Sequence, residues 1–167
     1  DISADLMELA QTPVAVICAG AKSILNIGLT LEYLETQGVP VLGYQTEEFP
    51  AFYTRESGFK ADYNIESPQM MAQLIADKWN MNLKGGVVIG NPIPKEHELE
   101  PEFINGSIEE ALAKAQSQGI KGKKVTPFLL DFLKNATKGD SLKANIELVY
   151  NNPRVGSQIA VELSKLG

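Results

Sequence analysis

Lys22 stands in Cys18-Ala19-Gly20-Ala21-Lys22-Ser23, directly after the apolar run Val14-Ala15-Val16-Ile17. A lysine placed where a buried strand hands over to a helix has three chemical uses and one bland one. A P-loop reading fails, because G-x-x-x-x-G-K-[ST] puts a glycine next to the lysine, and here Ala21 intervenes. Phosphate binding stays open, since a helix N-terminus offers free N–H groups to an anion. A Schiff-base role also stays open: partial burial and the positive end of a helix both disfavour the ammonium and favour a nucleophilic amine. The bland reading is a solvated surface lysine, and local chemistry leaves all three in play.

Other candidates are weaker taken alone. Asp1, Ser3 and Asp5 form D-x-S-x-D. Two carboxylates at this spacing suit a hard cation that keeps several waters, or sugar hydroxyls. Equally, Ser3 or Asp5 simply caps a helix. Asn145 falls in a helical stretch and reads as a solvent-facing amide. His97 is the sole histidine, set among charges in Lys95-Glu96-His97-Glu98, so a Ser-His-Asp triad within this chain is disfavoured. No Cys/His set has zinc spacing, and Cys18 reads as a space-filling residue at a strand end.

The elements that must carry these residues follow from pattern and punctuation. Helices are expected over 4–11 and 23–37, from 67 to about 79, over 104–118, from 126 to about 138, and from 141 to 166 with an interruption at Asn152-Pro153. Pro68 behind Ser67 supplies a helix start, and Gly38 and Gly119 supply stops. Strands are expected over 13–19, 39–44 and 85–90, with an aromatic-rich loop over 45–65. The alternation is that of an α/β protein: a three-layer α/β/α arrangement on a mixed, largely parallel sheet. Three strands are few for six helices, which is expected if a missing N-terminal segment completes the sheet.

Composition bounds the function. The 167 residues are 44% hydrophobic and 22% charged, enough for one domain with a substantial core. A net charge of −6 without a basic cluster argues against a nucleic-acid partner. No apolar run approaches a membrane span, and a single cysteine fits a reducing compartment, so a cytoplasmic location is expected.

Several stretches together resemble one family. DISADL, PVAVICAGAKSIL, YLETQGVPVLGYQTEEFPAFYTRESGF, GGVVIGNPIP, GIKGKKVTPFLL and SLKANIELVYNN are similar to the C-terminal half of the pseudouridine-5'-phosphate glycosidase, or indigoidine synthase A-like, family. The similarity runs over essentially the whole chain, so residues 1–167 are expected to form the C-terminal part of a single domain. It implies reversible cleavage of the C–C glycosidic bond of pseudouridine 5'-phosphate, giving uracil and ribose 5-phosphate, by a homotrimeric enzyme with a divalent metal, usually manganese.

By the same resemblance, Lys22 is the Schiff-base lysine and Asn145 an active-site asparagine. Asp1 binds the metal, and Ser3, Ala4 and Asp5 contact substrate. The family's proton-donating acid and a second substrate-contacting lysine belong to an N-terminal half without counterpart here, so that half is an expected partner. Alternatives are a Schiff-base lyase for another sugar phosphate and a non-catalytic sugar-phosphate-binding fragment.

Overall fold

The computed structural model describes residues 3–21 and 26–167, apart from the Lys123 side chain. Six helices and four strands follow in the order α1 (Ala4–Gln11), β1 (Ala15–Cys18), α2 (Ile27–Thr36), β2 (Val41–Tyr44), β3 (Tyr63–Ile65), α3 (Pro68–Asn80), β4 (Val87–Gly90), α4 (Pro101–Ser117), α5 (Val125–Ala136) and α6 (Asp140–Leu163). The sheet order is β1-β4-β2-β3, and every pairing is parallel. Cys18 lies opposite Gly90 and Gly43 opposite Gly90 from the other side, so three strands end level.

Side chains alternate across the strands, and each face finds its helices. Leu42, Tyr44, Val87 and Ile89 pack with Met71, Ala72 and Ile75 of α3 and with Val155 and Ile159 of α6. Val41 and Val88 point the other way, against Ile27 and Leu34 of α2, with Leu6, Leu9 and Ala10 of α1 alongside. This is the expected three-layer α/β/α arrangement, on a sheet that is parallel throughout its described strands. A third cluster extends past the strand ends: Ala19, Tyr53 and Ile93 join Ile104 and Ile108 of α4, Leu133 of α5 and Ala144 and Leu148 of α6.

Local chemistry explains most boundaries. Ser3 caps α1, Ser67 caps α3 with Pro68 in its first turn, and Asn26 caps α2 through Leu29 N–H. Two expectations need correction. The stretch over 45–65 contains a strand, β3, whose three residues are too short and too exposed to show a pattern. The interruption at Asn152-Pro153 does not occur, because α6 runs unbroken through Pro153. Proline deprives only the Val149 carbonyl of its helical donor, and both residues lie on the exposed face, where water substitutes.

The connection from β2 to β3 is a strap rather than a crossover helix. It pairs with itself, Glu48 opposite Lys60, and lies across the strand ends, Gly20 pairing with Ala51. Its Glu48 carboxylate accepts the N–H groups of Ser57 and Gly58, and Asp62 accepts that of Val41 at 2.7 Å. Gly20 makes this close approach possible. Its φ is +89°, and a Cβ would stand 1.5 Å from the Pro50 carbonyl oxygen. Gly38 also has positive φ, +68°, yet faces open space.

These two glycines separate strain from clash. Gly38→Ala should cost about 1–2 kcal/mol, the price of a left-handed alanine. Gly20→Ala adds displacement of the strap and should cost about 3 kcal/mol or more. Urea denaturation of the two variants measures the gap, and equal losses would refute the role given to the strap.

Candidate active site at the carboxyl edge of the sheet

Parallel sheets of this kind bind ligands outside the carboxyl ends of their strands, where connections diverge. Here the exits of β1 and β4 lie side by side, and the Asn91 N–H donates to the Cys18 carbonyl at 2.7 Å, adding a rung beyond the strands. The Phe52 N–H donates to the Ala19 carbonyl at 3.0 Å, closing the strap over the β1 exit. Phe52 does so at φ 66°, a conformation that a bulky side chain holds only under constraint.

Helices converge on the same edge. The Gly86 N–H, just before β4, donates to the Leu9 carbonyl, and Leu6 packs in the cluster that holds Cys18, Ala21 and Ala51, so α1 runs back along the sheet with Ser3, Ala4 and Asp5 toward the carboxyl edge. The β1–α2–β2 crossover does the same for the N-terminus of α2. That terminus is capped by Asn26 Oδ1 and has no acidic residue in its first turn. The described flanks of the segment 22–25, Ala21 and Asn26, therefore stand at the β1 exit and at an uncompensated helix N-terminus. Lys22 itself lies outside the described residues, as does Asp1.

The described candidates come from two sides of the sheet. Ser3 Oγ accepts the Asp5 N–H at 3.3 Å, so the capping alternative holds for this hydroxyl. Ala4 opens α1, and Asp5 is exposed in its first turn. Asn145 is half-buried on α6, not fully solvent-facing. Its neighbours Ala144 and Leu148 pack in one cluster with Ala19, Tyr53 and Ile93, so its stretch of α6 overlies both strand exits. No hydrogen bond joins Asn145 to the Ser3–Asp5 segment among the described residues.

Sequence reasoning passed over several polar groups here. Asn91 is buried, and its Nδ2 donates to Asn152 Oδ1 at 2.9 Å. Asn151 Nδ2 reaches the Pro92 carbonyl at 3.5 Å. Arg55 Nη1 donates to the Ile93 carbonyl at 2.6 Å, and the Arg55 N–H donates to Glu98 Oε1 at 2.8 Å. The available signal was Asn-Pro following a buried strand and again inside a helix, where each asparagine amide can tie irregular backbone. His97 faces Glu147 of α6 at 3.7 Å, a contact at the surface. Among the described residues no three His, Cys, Asp or Glu side chains gather as a metal-binding group.

Fold and site together describe a three-layer parallel α/β protein whose candidate site lies beyond the strand ends, between α1 and α2 on one face and α6 on the other. The pattern of the family described as indigoidine synthase A like protein matches residues 1–162, and the chain belongs to that family. It is 61% identical over 166 residues to the pseudouridine-5'-phosphate glycosidase of Clostridium botulinum, covering 99% of this chain and 54% of the relative. The pseudouridine-5'-phosphate glycosidase of Caldanaerobacter subterraneus subsp. tengcongensis is also 61% identical, with the same coverage. Among solved structures, the prealnumycin C-glycosynthase AlnA in complex with ribulose 5-phosphate superposes with a TM-score of 0.90 at 36% identity, over 99% of this chain and 55% of that one. An indigoidine synthase A-like protein of Thermotoga maritima gives 0.85 at 36% identity, over 98% and 54%. The chain spans about half the length of the curated relatives it matches.

Cys18, four residues before Lys22, tests whether the strand exit is reactive in general. Burial pushes its thiol pKa up, with a hydrogen bond involving the Gly20 backbone opposing in part. Less thiolate forms at neutral pH, so alkylation by iodoacetamide at pH 7.5 should be slower in the folded protein than in the urea-unfolded chain. A folded-state rate equal to or above the unfolded one would refute this.

Proposed function

We propose that the chain is the lysine-bearing half of an enzyme that reversibly cleaves the C–C glycosidic bond of pseudouridine 5'-phosphate, giving uracil and ribose 5-phosphate. One observation carries the reading. The residues leading to Lys22 leave β1 at the carboxyl edge, beside the β4 exit and under the α6 stretch that holds Asn145. The names of the closely similar curated relatives support the substrate.

The chemistry suits an amine. A C–C glycoside lacks the heteroatom leaving group that ordinary glycosidases protonate between two carboxylates. On this reading the neutral Lys22 amine attacks C1' and the ribose ring opens. The C1'–C5 bond then breaks, its electron pair passing to uracil C5, which takes up a proton. C1' remains bound to the lysine nitrogen as an imine. Water hydrolyses the imine, releasing ribose 5-phosphate and restoring the amine, so one water is consumed per bond cleaved. Asn145 is proposed to hydrogen-bond the opened sugar, and Ser3, Ala4 and Asp5 to line the substrate from the α1 side.

The proton-donating acid is proposed to come from the N-terminal half, joined or as a second chain, within a cytoplasmic homotrimer whose subunit is a single domain. Asp1 is proposed to hold manganese with water completing its shell. The described residues supply no ligand set of their own, and no step is assigned to the metal. A second reading, a Schiff-base lyase for another sugar phosphate, is favoured by the AlnA relative, whose structure contains ribulose 5-phosphate.

Borohydride reduction in the presence of ribose 5-phosphate and the N-terminal half should fix a covalent sugar adduct on the Lys22 peptide, read by mass spectrometry. Lys22→Ala and Lys22→Arg should both abolish it, since a guanidinium stays protonated. An adduct on another residue, or an undiminished yield from Lys22→Ala, would overturn the assignment. Trapping with ribulose 5-phosphate but not with ribose 5-phosphate would favour the second reading.

A further inference from the structure

The amide pair Asn91–Asn152 sits where α6 carries its internal proline. Asn152 directly precedes Pro153, which removes a helical hydrogen bond. Its Oδ1 accepts from Asn91 Nδ2 at 2.9 Å, while the Asn91 N–H is fixed to the Cys18 carbonyl at 2.7 Å. The bridge therefore links α6 to both strand exits through a single buried residue, and Asn151 adds a contact to the Pro92 carbonyl.

The position divides α6 in two. Downstream, Val155 and Ile159 pack on the sheet face. Upstream, Ser141 to Leu148 leaves the sheet to join α4, α5 and the strap, with Ala144 and Leu148 in that cluster. Asn145 lies about two turns before Asn152 on this upstream half. A helix loosened at Pro153 would pivot there, and a small pivot displaces a side chain two turns away by an ångström or so.

We infer that Asn91 and Asn152 form a positioning pair, which fixes the upstream half of α6, and with it Asn145, relative to the β1 exit leading to Lys22. The inference rests on the proposed role of Lys22 and Asn145 for its catalytic consequence. Its structural part stands apart from that role. Asn152→Leu keeps bulk but removes the acceptor, whereas Asn152→Asp keeps an acceptor for Asn91 Nδ2.

With the N-terminal half supplied, Asn152→Leu should lower kcat for pseudouridine 5'-phosphate at least about tenfold, the scale of misplacing a reacting group by an ångström. KM should stay within about twofold, and Asn152→Asp should recover most of the rate. Hydrogen exchange should quicken over 141–150 in Asn152→Leu while 155–163 keeps its wild-type protection. Wild-type kcat in Asn152→Leu, or equal losses in the Leu and Asp variants, overturns the positioning role. Uniform quickening along all of α6, or none, overturns the pivot. A wild-type protein that traps no sugar on Lys22 sinks the functional reading instead, and leaves the exchange result to decide the pair.

Discussion

The structure depends on a strap of irregular chain lying flat against the ends of a parallel sheet. Backbone against backbone leaves no room for side chains, and three strand exits meet the demand with glycine. A Cβ at Gly20 would strike the Pro50 carbonyl, one at Gly43 would stand 2.1 Å from the Thr46 carbonyl oxygen, and one at Gly90 2.7 Å from Pro50 Cδ. Placing the strap lets Tyr53 and Phe52 meet edge to face, with ring centroids 4.8 Å apart, and turns the aromatic stretch into a floor for the α4–α5–α6 cluster. The strap thus does what a crossover helix does elsewhere: it links adjacent parallel strands and covers their ends.

The second organising element is α6, which serves two cores with one helix. Its downstream half completes the sheet face under α3, and its upstream half closes the helical cluster beyond the strand ends. Continuity through Pro153 is what joins them. The lost hydrogen bond falls on the solvent side, and the amides of Asn151 and Asn152 turn toward the β4 exit. A polar bridge between halves of a helix and the end of a strand fixes geometry more sharply than apolar packing, because buried amides are costly to leave unpaired.

Much of this was legible in the sequence where one residue type forces one local outcome. Ser67-Pro68 opened a helix at the expected place, Gly38 followed the end of α2, and Val87–Gly90 lay inside the expected apolar strand. The elements that escaped notice are those decided by tertiary contact. Three-residue β3 exists because β2 offers it a ladder, and Pro153 is tolerated because its helix face is wet. The site divides along the same line. D-x-S-x-D announced a helix cap, and Ser3 caps α1; Asn145 gains its place over the strand exits only from the packing of Ala144 and Leu148. Asn-Pro marked Asn91 and Asn152 as local punctuation, but their pairing, like that of Arg55 with Ile93, was not legible, because the partners lie tens of residues apart.

The electrostatics of the described edge bear on why an amine would be used there. A lysine that must be neutral to attack a carbon needs surroundings that penalise its charged form and offer no carboxylate to stabilise it. The N-terminus of α2 adds no carboxylate of its own, since its cap is a neutral amide and its first turn holds no acid. The β1 exit meets the first condition in its own chemistry: Ala19 is buried, and burial pushes the Cys18 thiol pKa up rather than favouring a thiolate. The ion pairs found among the described residues, His97–Glu147, Lys143–Asp140 and Lys165–Glu162, all involve α6 and none draws on this exit. An ammonium at the end of β1 would meet a helix dipole of its own sign, whereas a free amine meets no such penalty. Gly20, required by the strap for steric reasons, stands between Ala19 and Ala21, so this stretch of the exit brings no charge of its own to the proposed imine.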